Sequence, residues 1–279
     1  MRVIRLPQVQ NVNPNQRASL RLPLGVTYQK LYVQLGTNIL TSLITNLVMR
    51  INNKEFQRWN SVADLNSGLN FYKGNLSGAT NFFVIDFTER LAREEVAMTL
   101  GTVAATQESG VQEITIEFDL GAYIQVATSA ITIWADVESP SANKVIQRVQ
   151  VQQKVLGAAA QEQIFVPFGM NGYQVKRLIL KHANLSSVRV RRDGADIYED
   201  LPIALDNQRL QDFSRVPQAG YKVIDFMPDA LQSNAFNTAL ILGTDGKPVP
   251  VQNLDIRVTT SAADTLTIYT ESYSLNSQL

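Results

Sequence analysis

Val84-Ile85-Asp86-Phe87 recurs as Val223-Ile224-Asp225-Phe226, 139 residues further on. A single four-residue match could arise by chance, so the flanks decide. Leu22-Pro23-Leu24-Gly25 with Tyr28-Gln29 returns as Val166-Pro167-Phe168-Gly169 with Tyr173-Gln174. Leu100-Gly101-Thr102 returns as Leu242-Gly243-Thr244, and Val111-Gln112 as Val251-Gln252, at offsets of 142 and 140. Ile131-Thr132-Ile133-Trp134 returns as Leu266-Thr267-Ile268-Tyr269 at an offset of 135. Collinear matches with slowly drifting offsets mean a duplicated domain with small loop insertions. The period is far above that of solenoid or propeller repeats, and each copy is large enough to own a core.

The 279 residues fit two domains, expected as 1–141 and 142–279 with the joint at Ser139-Pro140-Ser141. Lys and Arg number 25, as do Asp and Glu, so no wholesale polyanion or sequence-specific nucleic-acid binding is expected. The absence of cysteine excludes disulfide scaffolds and thiolate metal sites, and it fits maturation in a reducing cytoplasm. Met1 to Pro7 lacks the apolar core of a signal peptide, and no apolar stretch approaches a spanning helix. Any membrane contact is expected to be peripheral. Charged residues make up only 18% while Gln, Asn, Ser and Thr are plentiful. Such a surface suits a protein packed against copies of itself.

Most periodic segments read as strands. Ile114 to Phe118, Leu254 to Val258 and Val188 to Arg191 alternate apolar and polar residues. Leu47 to Ile51 and Leu31 to Leu35 have fuller apolar character, and Leu178-Ile179-Leu180 partners the latter in the second copy. Asp193-Gly194 tolerates the positive φ of a type I′ hairpin turn, and Asn52-Asn53 stands at the same place in the first copy. Two short helices per copy are expected. One follows each Val-Ile-Asp-Phe: Thr88 as a cap for 89–96, and Pro228 opening 229–232. The other lies near Ser61 to Leu69 and near Leu201 to Phe213. Each copy thus reads as about eight short strands without βαβ alternation. The fold class is all-β, two tandem jelly-roll sandwiches with short helices in loops. Gly157 to Ala160 reads as a loop of the second copy.

Each chemical motif has a plainer structural reading. His182 is the only histidine, so neither a zinc set nor a catalytic triad can form around it. Gly243-Thr244-Asp245-Gly246-Lys247 lacks the Ser/Thr and helix of a phosphate loop, and Pro248 follows the Lys, so it reads as a turn. Asp86 and Asp225 match because the domain is duplicated; helix capping or a strand-end hydrogen bond is expected rather than acid–base chemistry. Asp193, Asp196, Glu199 and Asp200 have the oxygen ligands Ca²⁺ takes, without EF-hand spacing, and read as a solvated hairpin face. Asn75-Leu76-Ser77 and Asn184-Leu185-Ser186 are sequons only in a secreted eukaryotic chain. Trp134 aligns with Tyr269 and is expected in the core. Arg2 and Arg5 flank Ile4 ahead of the first sandwich strand, with Arg17 and Arg21 beyond. They read either as a basic, membrane-facing arm worth about 1 kcal/mol per charge or as an ordinary strand with exposed Arg. As an arm outside both cores, residues 1–8 would be dispensable for folding.

A cysteine-free pair of tandem sandwiches without a catalytic set resembles the double jelly-roll major coat proteins of tailless icosahedral viruses with an internal membrane. The chain looks most like the corticovirus major capsid protein family. Asn11-Val12 with Leu22 to Tyr28 carries the resemblance in the first copy. Gly172-Tyr173, Asp193-Gly194 and Ile224 to Met227 carry it in the second. The resemblance implies a non-enzymatic homotrimer with a pseudo-sixfold outline and strands roughly normal to the capsid surface. Its partners would be neighbouring capsomers, a penton or vertex protein, and an internal membrane or that membrane's proteins. It implies residence in the virion capsid after assembly in the host cytoplasm. Corticovirus particles are associated with calcium, but no residue here can be matched to a calcium site, and no cofactor is expected. The alternatives are a carbohydrate-binding or glycosidase protein of two sandwiches, or a minor vertex or spike protein of the same virus type. Trp59 and Trp134 give no aromatic platform for the first.

Overall fold

The alternation read in Ile114–Leu120 is realised as a strand that buries every second residue, and Leu254–Thr260 does the same in the second copy. In the computed structural model the described residues are 2–76, 81–92, 94–157, 161–169 and 173–279. Ser77 of the first sequon, Arg93, Gly172 and residues 158–160 of the expected loop lie outside them. The chain divides into two compact units, Met1–Gln150 with Ser274–Leu279, and Val151–Tyr273. Against the expected joint at 141/142, unit 1 thus runs nine residues further and regains the last six.

Unit 1 is a sandwich of antiparallel sheets. One sheet has the order Arg2–Arg5, Ile131–Glu138, Val26–Leu35, Phe82–Asp86, with Val103–Ala105 beside the start of Val26–Leu35. The other has the order Lys54–Ser61, Ile44–Ile51, Ile114–Leu120, Arg17–Arg21. Apolar residues line the inner faces because the pleat sends alternate side chains inward. Leu31, Val33, Phe83 and Ile133 from the first sheet and Ile116 and Phe118 from the second are fully buried. Phe83 meets Phe118 edge to face at 6.5 Å, joining the two layers.

Unit 2 repeats the plan. Tyr221–Asp225, Gln174–Lys181 and Asp264–Leu275 are neighbours, with Phe236–Asn237 beside the start of Gln174–Lys181. Ala195–Pro202, Leu185–Arg192, Leu254–Thr260 and Gln161–Ile164 form the other layer. Leu178, Leu180, Val188, Val190, Ile224, Ile256, Val258, Leu266 and Ile268 share its core. These strands keep the order of their unit 1 counterparts. Even the irregularity repeats: Val26–Leu35 bulges between Tyr28 and Lys30, and Gln174–Lys181 between Val175 and Arg177. The register therefore pairs Lys30 with Arg177. Tyr28 corresponds to Val175, so the Tyr28–Tyr173 match of the sequence repeat is two residues out of register.

The hairpin turns form as expected. Asn52 and Asn53 have φ of 51° and 64°, and Asp193 and Gly194 have 50° and 83°. Positive φ at both central residues is the type I′ signature. The helices after the hairpins also form: Ser61 Oγ accepts the Asp64 N–H at 3.1 Å to start Val62–Leu65, and Ile203–Asp212 is helical. The helices after Val-Ile-Asp-Phe do not form as expected. Asp86 Oδ1 takes both the Thr88 N–H (2.9 Å) and its hydroxyl (2.6 Å), so Thr88 is not free to cap. Glu89 turns inward to the buried Lys73 at 3.4 Å, and the helix waits until Glu95–Thr99. In unit 2, Asp229 Oδ1 accepts the Leu231 N–H and Ala230 sits at φ 59°, which leaves only a short 3₁₀ turn at Gln232–Asn234.

Candidate functional site

Two arrangements stand out, a duplicated charge ladder and the free edges of the sheets. The ladder follows from register. Lys30 lies opposite Asp86 on one side and Asp136 on the other, and Arg177 lies between Asp225 and Glu271. Lys30 Nζ is 3.4 Å from Asp86 Oδ2, while Asp136 Oδ2 accepts the Tyr32 hydroxyl at 2.9 Å. Arg177 Nε donates to Asp225 Oδ2 at 3.0 Å and its Nη1 to Glu271 Oε2 at 2.9 Å. Lys176, set beside Arg177 by the bulge, adds a 2.9 Å contact to Glu271 Oε1. Arg177, Lys176, Glu271 and Asp225 have no exposed side chain. Buried charges persist only when paired in this way. Sequence reading passed over Lys30, Arg177, Asp136 and Glu271. The signal was there: a basic residue stands before Leu31 and before Leu178, inside otherwise apolar strands.

Asp86 and Asp225 end their strands in the same way. Asp225 Oδ1 accepts the Met227 N–H at 3.0 Å, as Asp86 accepts that of Thr88. The expected strand-end hydrogen bond is therefore present in both copies. A second duplicated device sits at the hairpin turns. Asn52 Oδ1 accepts the N–H groups of Gln112 (2.8 Å) and Glu113 (3.2 Å). Asp193 Oδ1 accepts those of Gln252 and Asn253, both at 2.7 Å. Each turn is thereby pinned to the chain that enters the neighbouring strand.

The remaining sequence candidates are scattered. His182 is buried, and its Nδ1 accepts the Asn184 N–H at 3.1 Å, which places it in a turn. Gly243 to Lys247 makes the turn between Leu240–Leu242 and Pro248–Pro250. Asp196 is held by Arg189 and Arg191 at 3.0 and 3.1 Å, whereas Asp193 is committed to its turn. Among the described residues no cluster of three or more His, Asp or Glu could hold a metal ion. Asn75 donates to Asp86 at 2.7 Å.

Trp134 departs from expectation. It is 38% exposed, while its counterpart Tyr269 is fully buried. Its row runs Arg5, Trp134, Tyr32, Val84, on the face turned away from the unit 1 core, and the Arg5 guanidinium lies 5.9 Å from the ring. Of the two readings of the N-terminal residues, the segment takes the form of a strand with exposed Arg. Arg2–Arg5 is a strand in register with Val137 to Trp134, and Leu6 and Val9 behind it are buried. Three residues apart on a strand, Arg2 and Arg5 point to opposite faces.

Comparison with known proteins accounts for the duplication. Residues 3–138 match the family model of the viral coat protein P2 N-terminal domain, and residues 146–276 match that of the P2 C-terminal domain. The chain belongs to the viral coat protein P2 family. The coat protein superposes on the major capsid protein P2 of bacteriophage PM2 with a TM-score of 0.85, at 17% identity over 98% of this chain and 97% of that one. The Sulfolobus Turreted Icosahedral Virus structure gives 0.67 at 13% identity over 98% and 90%. The PBCV-1 virus capsid gives 0.61 at 11% over 98% and 92%. No curated protein sequence matches the chain. The fold is a double jelly roll, and the coat protein is a structural, non-enzymatic component of a viral capsid.

Proposed function

We propose that this coat protein is the major shell subunit of an icosahedral particle, that it works as a homotrimer, and that the shell encloses a membrane. The observation that carries the reading is the repetition of strand order, bulge, charge ladder and turn clamp in both units. Closed shells need many near-equivalent interfaces. Two like domains on each of three chains supply six, and covalent fusion removes the entropic cost of bringing each pair together. Neighbouring trimers, a vertex protein and the lipid layer are the partners in this reading, with assembly in the host cytoplasm. The membrane-facing role for Arg2 and Arg5 belongs to it as one use of a basic sheet edge. The test is the composition of purified particles. The reading expects this chain to be their most abundant protein and phospholipid to be present. A trace protein would indicate a vertex or spike component, and lipid-free particles would remove the membrane.

A further inference from the structure

The two units differ in how they treat one strand. In unit 1, Lys54–Ser61 follows the pinned turn and gains a parallel neighbour, Val145–Leu156, where Val149 lies opposite Gln57. Gln57 Nε2 donates to the Gln147 carbonyl at 3.3 Å beside that pairing. The counterpart in unit 2 is Ala195–Pro202. Among the described residues it pairs with Leu185–Arg192 on one side and ends its sheet on the other. Six of its eight residues are exposed. An open edge presents a row of unpaired N–H and C=O groups and recruits another strand unless something blocks it. One copy of this strand is thus covered and the other is bare.

The bare edge is acidic. It reads Asp196-Ile197-Tyr198-Glu199-Asp200, with Ile197 40% exposed. Asp196 already faces Arg189 and Arg191, and Asp200 Oδ1 accepts from Gln161 Nε2 at 3.2 Å, so Glu199 carries the outward charge with Asp200 beside it. A strand that ends a sheet of unit 1 is basic. Arg2-Val3-Ile4-Arg5 ends the unit 1 sheet, with Val3 60% exposed. The two edges are complementary in charge, and each exposes an apolar residue, Val3 and Ile197.

We propose that the open edge of Ala195–Pro202 is the docking site for the Arg2–Arg5 strand of a second copy of this chain, which adds to the sheet as an extra strand. This rests on the self-assembly reading above. Strand addition draws affinity from main-chain hydrogen bonds, while side chains set the register. Opposite charges favour this partner, because like charges brought together repel. The contact joins two different surfaces, so it propagates head to tail, and in the trimer of the reading above it closes into a ring.

The chain lacks cysteine, which makes the test direct. The double variant Val3→Cys, Ile197→Cys should form oxidised dimers and trimers on a non-reducing gel, and neither single variant should reach a trimer. Arg2→Glu with Arg5→Glu should lose the trimer by light scattering, as should Glu199→Arg with Asp200→Arg. Combining the two pairs should restore it, which misfolding could not do. If both reversals stay trimeric, or the combined variant stays monomeric with an unchanged circular dichroism spectrum, the proposal fails and the trimer itself stands. If the trimer survives Arg2→Glu/Arg5→Glu while binding to phosphatidylserine vesicles is lost, the basic edge belongs to lipid and the proposal is overturned. If the unaltered chain is monomeric, the assembly reading fails with it.

Discussion

Arg177 and Asp225 face each other across neighbouring strands with Nε and Oδ2 3.0 Å apart and no exposed side-chain surface, and Lys30 and Asp86 repeat the pairing in the first unit at 3.4 Å. The two pairs sit at equivalent registers beside equivalent bulges. They differ in depth: Lys30 keeps 20% of its side chain exposed.

That difference sets unequal costs. Arg177→Met leaves Asp225 and Glu271 buried without their main cation, and breaking a buried pair on one side costs about 3–5 kcal/mol. Lys30→Met should cost less, because Asp86 keeps donors from Asn75 and Thr88 and solvent reaches the site. Denaturant unfolding of the two variants measures both. Equal losses would contradict the account from depth.

The turn clamp makes a second prediction. Asp193→Ala removes the acceptor for two N–H groups and should cost about 1–3 kcal/mol. Asp193→Asn should be nearly neutral, because Asn52 performs the same task in unit 1. Gly194→Val places a β-branched residue at φ 83° and should cost about 1–3 kcal/mol. An unchanged melting temperature in Asp193→Ala or Gly194→Val would remove the clamp or the type I′ turn from the account.

A third prediction concerns acid. Burial raises the Glu117 carboxyl, but hydrogen bonds from Arg50 at 2.6 Å and Arg17 at 3.0 Å outweigh it, and the group titrates below its ordinary 4.5. A lowered folded-state value means that the stabilisation is present above 4.5 and is lost as pH falls through the folded value. Glu117→Gln should therefore destabilise the protein at pH 7, and its deficit should shrink as the solution is acidified below pH 4.5. A deficit that stays constant down to pH 3 would show that the carboxylate charge is not the source.

Much of this fold could be read in the chain because its determinants are local. Alternation in Ile114 to Phe118 fixes a half-buried strand, and Asp193-Gly194 opposite Asn52-Asn53 fixes a hairpin type. What failed depends on more than residue type. Thr88 is a good cap by residue type, but Asp86 Oδ1, two residues away, engages its hydroxyl and its N–H. Trp134 shares its register with Tyr269, yet exposure depends on what covers a face, which periodicity does not encode. The Lys30–Arg177 equivalence was hidden because the Tyr28–Tyr173 match of the sequence repeat lies two residues out of the structural register. The N-terminal residues read either as an arm or as a strand, because a four-residue edge strand takes its stability from its neighbour, Ile131–Glu138.

Light scattering on the purified chain tests the central claim most directly. The account predicts a single species of three times the monomer mass, stable on dilution into the micromolar range. A monodisperse monomer at the same concentrations would contradict it.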